Sequence, residues 1–196
     1  MFRIYCWILI VPLFCLCVFC VTEKQASAGN KVRDQLGRQV EIPEDVECIL
    51  PLAPSIAECV YLLGQWDKVV GTTRFTDFPP GTKDLSKIGS YVNLDLEKIV
   101  RLAPDLCLAT KDGNPQSVVR ELEQLGIPVY ALDPRDMDAI ERTMLKLGQL
   151  LNSEYTAKEV LQGMEDHLSG IKELVPRSAS RPKVFFQIGI SPIVSA

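Results

Sequence analysis

Ser55, Asp112, His167 and the cysteines are the side chains from which nucleophilic or metal chemistry would have to be built, and their spacing does not assemble it. A serine nucleophile needs a base within hydrogen-bond reach, and the single histidine lies far along the chain from Ser55. Ser55-Ile56-Ala57-Glu58 reads better as a capping box, in which Ser and Glu satisfy each other's free backbone donors at a helix start. Cys6, Cys15, Cys17 and Cys20 lie in an apolar leader, and Cys48, Cys59 and Cys107 sit among apolar neighbours where unpaired cysteine packs in a core. One histidine and no Cys-x-x-Cys after residue 28 do not make a transition-metal site. Neither a Gly-x-x-x-x-Gly-Lys-Ser/Thr nor a Gly-x-Gly-x-x-Gly run is present, so nothing marks nucleotide binding. These absences favour a binder over an enzyme.

The residues that suit binding are aromatic. Phe75, Phe78 and Tyr91 fall in polar, turn-rich segments, and exposed rings offer a flat amphipathic ligand large contact area with few rotors to freeze. Phe78 precedes Pro79-Pro80 and has a plainer role available, pinning its loop to the core. Arg74 and Lys111 lie near the same segments and keep an anionic chelate open as the ligand. Asp77, Asp112 and Asp133 are explained by turn hydrogen bonding. Glu97 shares its helix face with Lys98 and Arg101, a pattern that by itself describes a solvated surface.

A repeated strand, loop and helix must position these residues. Residues 32–40 alternate around Leu36-Gly37-Arg38 as a small hairpin. Strands are expected at 48–50, 69–70, 106–109 and 129–132, and their continuous apolar runs are those of a parallel sheet buried on both faces. Helices follow each: one from Ser55 to Gly64; one capped by Asn93; one with Asn114 as cap, Pro115 at its first position and the face Val118, Leu122, Leu125; and one opened by Asp136 with Met137, Ile140, Met144, Leu147 and Leu151 on one side. In such a sheet ligands sit beyond the carboxyl ends of the strands, which singles out the loops at 51–55, 72–80, 89–93 and 110–114. Residues 153–175 keep helical spacing over ~35 Å, long enough to leave the first sheet behind. A new apolar strand at 183–188 then runs into Ser191-Pro192.

Before this α/β unit, residues 4–21 carry no charge, Arg3 precedes them and Ala26-Ser27-Ala28 follows. That is an export signal over residues 1–28. A retained anchor is the competing reading, because eighteen apolar residues at ~1.5 Å each almost cross a ~30 Å hydrocarbon core; lipidation at Cys17 or Cys20 is a third. The chain's net charge of −4 and lack of any Lys/Arg block exclude an electrostatic footprint for nucleic acid.

Asp34 with Gly37-Arg38-Gln39-Val40, then Ile49-Leu50-Pro51-Leu52-Ala53-Pro54-Ser55, Val69-Val70-Gly71, Leu96-Glu97-Lys98-Ile99-Val100 and Ala103-Pro104-Asp105-Leu106, in that order, resemble the substrate-binding proteins of ABC importers for cobalamin, haem and ferric siderophores. Gly113-Asn114 and the run from Phe185 to Pro192 are most similar to the vitamin B12-binding members. The resemblance implies two α/β lobes joined by one long helix, with the ligand between them. Residues 29–151 would be the first lobe, 152–176 the connecting helix and 177–196 the opening of a second lobe that is cut short. It implies a ligand wall built from Pro54, Ser55, Phe75, Tyr91, Thr110 and Asn114, with Phe75 and Tyr91 against the corrin and Glu97 meeting arginines of the permease. Thr110 departs from the family, which puts an aromatic there.

The expectation is therefore an α/β fold with a mostly parallel sheet flanked by helices, and an exported, monomeric, non-enzymatic carrier. It would take a corrinoid in the periplasm, with no catalytic residue, resident metal or cofactor, and pass it to ABC permease subunits. A ferric-siderophore or haem carrier is the alternative within the fold. A small membrane-anchored enzyme using Ser55 or the Asp112 loop, and a permease-docking module that binds nothing alone, are the alternatives outside it.

Overall fold

The computed structural model describes residues 29–175, 181–185, 187–190 and 193–195. The export signal, Cys17, Cys20, Pro176, Phe186 and Ser191-Pro192 lie outside the described residues. Strands β1 (Asn30–Arg33) and β2 (Gln39–Ile42) form the expected N-terminal hairpin, paired antiparallel from Asn30 opposite Ile42 to Arg33 opposite Gln39. Its turn closes on Asp34, whose buried carboxylate accepts from the Leu36 and Arg38 amides at 3.0 and 2.8 Å and from the Arg38 guanidinium at 2.7 Å.

β3 (Ile49–Pro51) leads to α1 (Pro54–Leu62), and the chain continues through β4 (Gly71–Thr72), β5 (Ser86–Lys87), β6 (Gly89–Ser90) and β7 (Asn93–Leu94) to α2 (Leu96–Leu102). Then come β8 (Leu106–Thr110), α3 (Gln116–Gln124), β9 (Val129–Leu132), α4 (Met137–Leu150) and α5 (Glu154–Leu174). The central sheet is parallel in the order β3-β8-β9, with Ile49 opposite Leu106 and Cys107 opposite Val129. Strand residues alternate between two cores, as a sheet covered on both faces requires. Ile49, Leu106, Leu108, Tyr130 and Leu132 pack with Ile56, Val60, Met144, Leu147 and Ala157. Leu50, Cys107, Ala109 and Val129 pack on the other face with Ile99, Val119 and Leu122.

Several expected boundaries move, each for a local reason. Ser55 is not a cap: Ala53 occupies that position, Pro54 opens α1, and no side chain caps it. Asn93 does not cap α2 because residues 89–94 turn back on themselves as the hairpin β6-β7; Asp95 caps instead, accepting from the Lys98 amide at 3.0 Å. Asn114 does not cap α3, since Pro115 takes that place and the Asn114 side chain turns inward. Val69-Val70 makes only a bridge to Ile49, and the strand proper is Gly71–Thr72. Leu125 lies past the last turn of α3 and is exposed, while Val119 joins Leu122 in the core. On α4 the buried stripe runs through Ala139, Thr143, Met144 and Leu147, leaving Met137 and Ile140 outside; Thr143 turns inward because its hydroxyl meets the hairpin residue Gln35 at 2.8 Å.

α5 spans 21 residues, ~30 Å at 1.5 Å each. Only Ala157 is fully buried, Val160 and Leu161 touch the core, and Ile171, Leu174 and Val175 stand in solvent. The helix thus leaves the sheet after its first turns. Beyond it, β10 (Gln187–Ile190) pairs antiparallel with β11 (Ile193–Ser195), so the lone strand expected at 183–188 is instead a shorter strand in a hairpin.

Candidate functional site

The loops after β4 and β8 and the turn of β6-β7 come together at one place. After β4 the chain runs through Thr73, Arg74 and Phe75, and is held by the Arg74 amide donating to the Gly89 carbonyl at 2.8 Å and the Ile88 amide to Thr72 at 3.0 Å. Lys87 fixes the same loop by donating from Nζ to the Thr72 hydroxyl at 3.0 Å and to the Thr76 carbonyl at 3.1 Å. The two-residue turn of β6-β7 carries Tyr91 and Val92. After β8, residues 110–114 close a tight turn in which the Gly113 and Asn114 amides both return to the Thr110 carbonyl, at 3.3 and 3.0 Å.

Tyr91 and Phe75 approach edge to face, with ring centroids 6.3 Å apart and planes at 61°. They remain 38% and 52% exposed, and Val92 beside them is exposed as well. The Arg74 guanidinium lies 4.7 Å from the Phe75 centroid, a cation over an aromatic face. Gly113 forms the floor: a Cβ there would stand 2.8 Å from Thr110 Cγ2 and 3.3 Å from Tyr91 Cδ2. A side chain at 113 would collide with the Thr110 methyl and crowd the tyrosine ring. The result is an aromatic wall with a small aliphatic floor and one cation at its rim, suited to the face of a large planar molecule.

Of the residues expected from sequence, the structure brings Phe75, Tyr91, Thr110 and Asn114 together. Pro54 and Ser55 open α1 just after Leu52, whose carbonyl Asn114 holds at 2.9 Å. Ser55 is exposed, and His167 lies on the free part of α5 with its ring bonded to the Gly163 carbonyl at 2.6 Å. Phe78 goes elsewhere: its ring packs edge-on against Tyr61 at 5.3 Å, and Tyr61 in turn meets Trp66 at 6.2 Å. It joins a surface cluster of rings and, at 49% exposed, is not pinned into the core as expected. Glu97 sits in the first turn of α2 with its side chain 88% exposed, 3.7 Å from Arg101. Gly113 belongs to the Gly113-Asn114 pair that carried the resemblance, whereas Val92 has no such mark in the sequence; an apolar residue in a two-residue turn is the available signal for it.

Lys111 pairs with Asp133 at 3.3 Å, and Asp133 also receives Arg135 at 2.8 Å, so the charge of Lys111 is shared and Arg74 is the cation left facing the rings. A depression of about 790 Å³ lies away from the aromatics, lined by Arg33, Gln35, Tyr130, Arg135, Arg142 and others. Its arginines are largely engaged, Arg135 with Asp133 and Arg142 within 4.0 Å of Asp136, and no loop aromatic reaches it. The aromatic wall therefore has the stronger claim, being one open side of a site rather than a closed cavity. Among the described residues no three His, Cys, Asp or Glu side chains gather as a metal cluster, and no helix is long and apolar enough to cross a membrane.

Comparison with known proteins bears on this geometry. The sequence pattern of the family described as periplasmic binding protein matches residues 49–193. A vitamin B12-binding protein of Yersinia pestis is 31% identical over 150 residues, covering 76% of this chain and 53% of its own. The crystal structure of the periplasmic vitamin B12-binding protein of Vibrio cholerae superposes with a TM-score of 0.67 at 27% identity, over 76% of this chain and 58% of that one. A periplasmic haem-binding protein from Roseiflexus sp. RS-1 in its apo form gives 0.65 at 25% identity, over 72% and 55%. The chain spans about half the length of the curated relatives it matches.

Proposed function

Since the chain belongs to the periplasmic binding protein family, we propose that it is the extracytoplasmic carrier of an ABC importer and that its ligand is a corrinoid. The observation that carries the reading is the Phe75–Tyr91 pair standing over Gly113. A corrin macrocycle offers a broad, largely apolar face with polar amides at its edge. Two rings at an angle present a ledge for that face, while Thr110, where the resemblance implies an aromatic, adds no third ring to it. The similarity to vitamin B12-binding proteins supports the same ligand.

α5 would connect this lobe to a second one, and the ligand would lie between them. Glu97, exposed at the tip of α2, would meet arginines of the permease, an ion pair that guides docking more than it adds affinity. No step of chemistry is asked of Ser55 or Asp112: the protein captures and releases. Export by residues 1–28 would place it in the periplasm, either released by cleavage or held at the membrane by the leader or by lipidation.

A haem or ferric-chelate ligand is the second reading, favoured by Arg74 over Phe75, a cation able to meet a carboxylate or phenolate. Equilibrium titration of the intact protein with cobalamin, cobinamide, haem and ferric siderophores separates the two. Cobalamin and cobinamide binding below micromolar, with weaker haem binding, is the expected result. Absence of corrinoid binding at that concentration retires the corrinoid assignment.

A further inference from the structure

We propose that Asn114 is a positioning residue that ties the turn carrying Tyr91 and the 110–114 turn to the segment after β3, without touching the ligand itself. Asparagine carries two amide N–H donors and one carbonyl acceptor, and here every one is used. Nδ2 donates to the Leu52 carbonyl at 2.9 Å and to the Tyr91 carbonyl at 2.7 Å, while Oδ1 accepts from the Thr110 amide at 2.8 Å. The side chain is buried, with 7% of the residue exposed, so it presents no free polar atom to a guest.

The three partners lie on separate segments. Leu52 follows β3 just ahead of Pro54, Tyr91 is in the turn of β6-β7, and Thr110 is the last residue of β8; Leu52 and Tyr91 are 62 and 23 residues from Asn114 in sequence. Leu52 is also tied to the sheet through its amide, which donates to the Leu108 carbonyl at 2.9 Å. The hairpin carrying Tyr91 is only two residues per strand, too short to fix its own orientation against the sheet. The Asn114 amide supplies that fixation at the carbonyl of the residue whose ring faces Phe75. Loops held in place before the ligand arrives do not have to be ordered on binding, which preserves affinity.

The chemistry allows few substitutes. An ionised aspartate has no donor and would set a negative charge against the Leu52 and Tyr91 carbonyls. A leucine would leave both carbonyls and the Thr110 amide unpaired, and buried unpaired groups are costly. The ligand arm of this proposal rests on the corrinoid reading; its structural arm does not.

Asn114→Asp tests both arms in the intact protein. At pH 7.5 the variant should bind cobalamin at least tenfold more weakly than the parent. Burial against two carbonyls raises the pKa of the new carboxyl, so the loss should shrink as the solution is taken to pH 5 and the protonated form again donates to one of them; Lys111 and Asp112 flanking the turn, and Tyr91 across from it, are present in both proteins and cancel in the comparison. In the ligand-free variant, amide hydrogen exchange should speed up at Thr110 and across residues 89–94 while β9 (Val129–Leu132) keeps its protection. A uniform rise in exchange, or an equal loss of affinity at both pH values, would overturn the positioning role. Unchanged exchange at Thr110 and the hairpin would also overturn it. Local exchange faster as expected, in a parent protein that binds no corrinoid, would uphold the positioning role and withdraw the ligand. Asn114→Ser, which keeps a small uncharged side chain, serves for the exchange measurement should the aspartate variant not fold.

Discussion

Gly148 of α4 lies against Ala157 of α5 so closely that a Cβ at position 148 would stand 2.7 Å from the alanine Cβ. The two helices are also stitched by the Ser153 amide donating to the Gly148 carbonyl at 2.7 Å across a turn in which Asn152 takes a left-handed φ of 53°. Gly148→Ala gains ~1 kcal/mol of helix propensity but forces the helices apart, an overpacking cost of about 1–3 kcal/mol. A net loss of stability of about 1 kcal/mol is expected, read as a lower urea midpoint with an unchanged slope. An equal or higher midpoint would show that the contact has slack.

Asp34 is the keystone of the N-terminal hairpin. Its side chain is fully buried and Arg38, which it pairs at 2.7 Å, continues to the Val129 carbonyl at 3.1 Å and to Glu123 at 2.7 Å. The hairpin thereby covers the edge of β9, which would otherwise be an open sheet edge. Asp34→Ala strips partners from the Leu36 and Arg38 amides and from a half-buried guanidinium, a loss of about 2–4 kcal/mol. Urea unfolding of the variant measures it, and a loss under 1 kcal/mol would mean that water replaces the carboxylate.

The layered fold was legible because strands buried on two faces write themselves as unbroken apolar runs: 106–109 and 129–132 fall within one residue of β8 and β9. The long helix was legible by a different signal, the helical spacing of Ala157, Val160 and Leu161. Helix starts were less so. Ser55, Asn93 and Asn114 all have the right chemistry for caps, and in each case a neighbour took the position, because Pro54, the β6-β7 turn and Pro115 set the backbone first. At the candidate site, the rings could be named from sequence but their partners could not. That Phe75 meets Tyr91 while Phe78 meets Tyr61 depends on how the segment between β4 and β5 folds back over the sheet, and no local pattern encodes it.

Two thiols carry a pH dependence. Burial pushes the Cys107 thiol up to about 12, and burial followed by the charge of Glu58 pushes Cys59 up to about 11. Unfolding releases both toward the ordinary value of 9.0, so the unfolded state sheds protons first as pH rises. Stability from this source is full below pH 9 and declines above it, until pH passes about 11 for Cys59 and about 12 for Cys107, by at most ~1.4 kcal/mol per pH unit for each thiol. Urea midpoints between pH 8 and 10.5 should fall less steeply in a Cys59→Ala, Cys107→Ala protein than in the parent. Parallel declines would assign the slope to other groups.

Glu97 is the test of docking. Its carboxylate is exposed and only 3.7 Å from Arg101 on its own helix, a weak surface pair that an incoming arginine can replace. Glu97→Arg should weaken association with the importer at least tenfold and steepen with falling salt, since like charges then face each other, while cobalamin affinity of the free carrier holds. Equal loss of both would point to a fold defect and remove Glu97 from the interface.

The aromatics separate the ligand wall from its support. Tyr91→Ala and Phe75→Ala each remove a half-exposed ring that touches its partner at 6.3 Å, and each should weaken corrinoid binding ten- to a hundredfold, about 1.4–2.7 kcal/mol, with little change in the urea midpoint. Phe78→Ala should leave affinity within threefold, because its half-exposed ring rests on Tyr61 at 5.3 Å and not on the wall, and it too should change the midpoint little. Titration calorimetry and urea unfolding of the three variants together decide the matter: if Phe78→Ala loses affinity as Tyr91→Ala does, the ligand extends over the Tyr61 cluster and the wall is wider than the Phe75–Tyr91 pair.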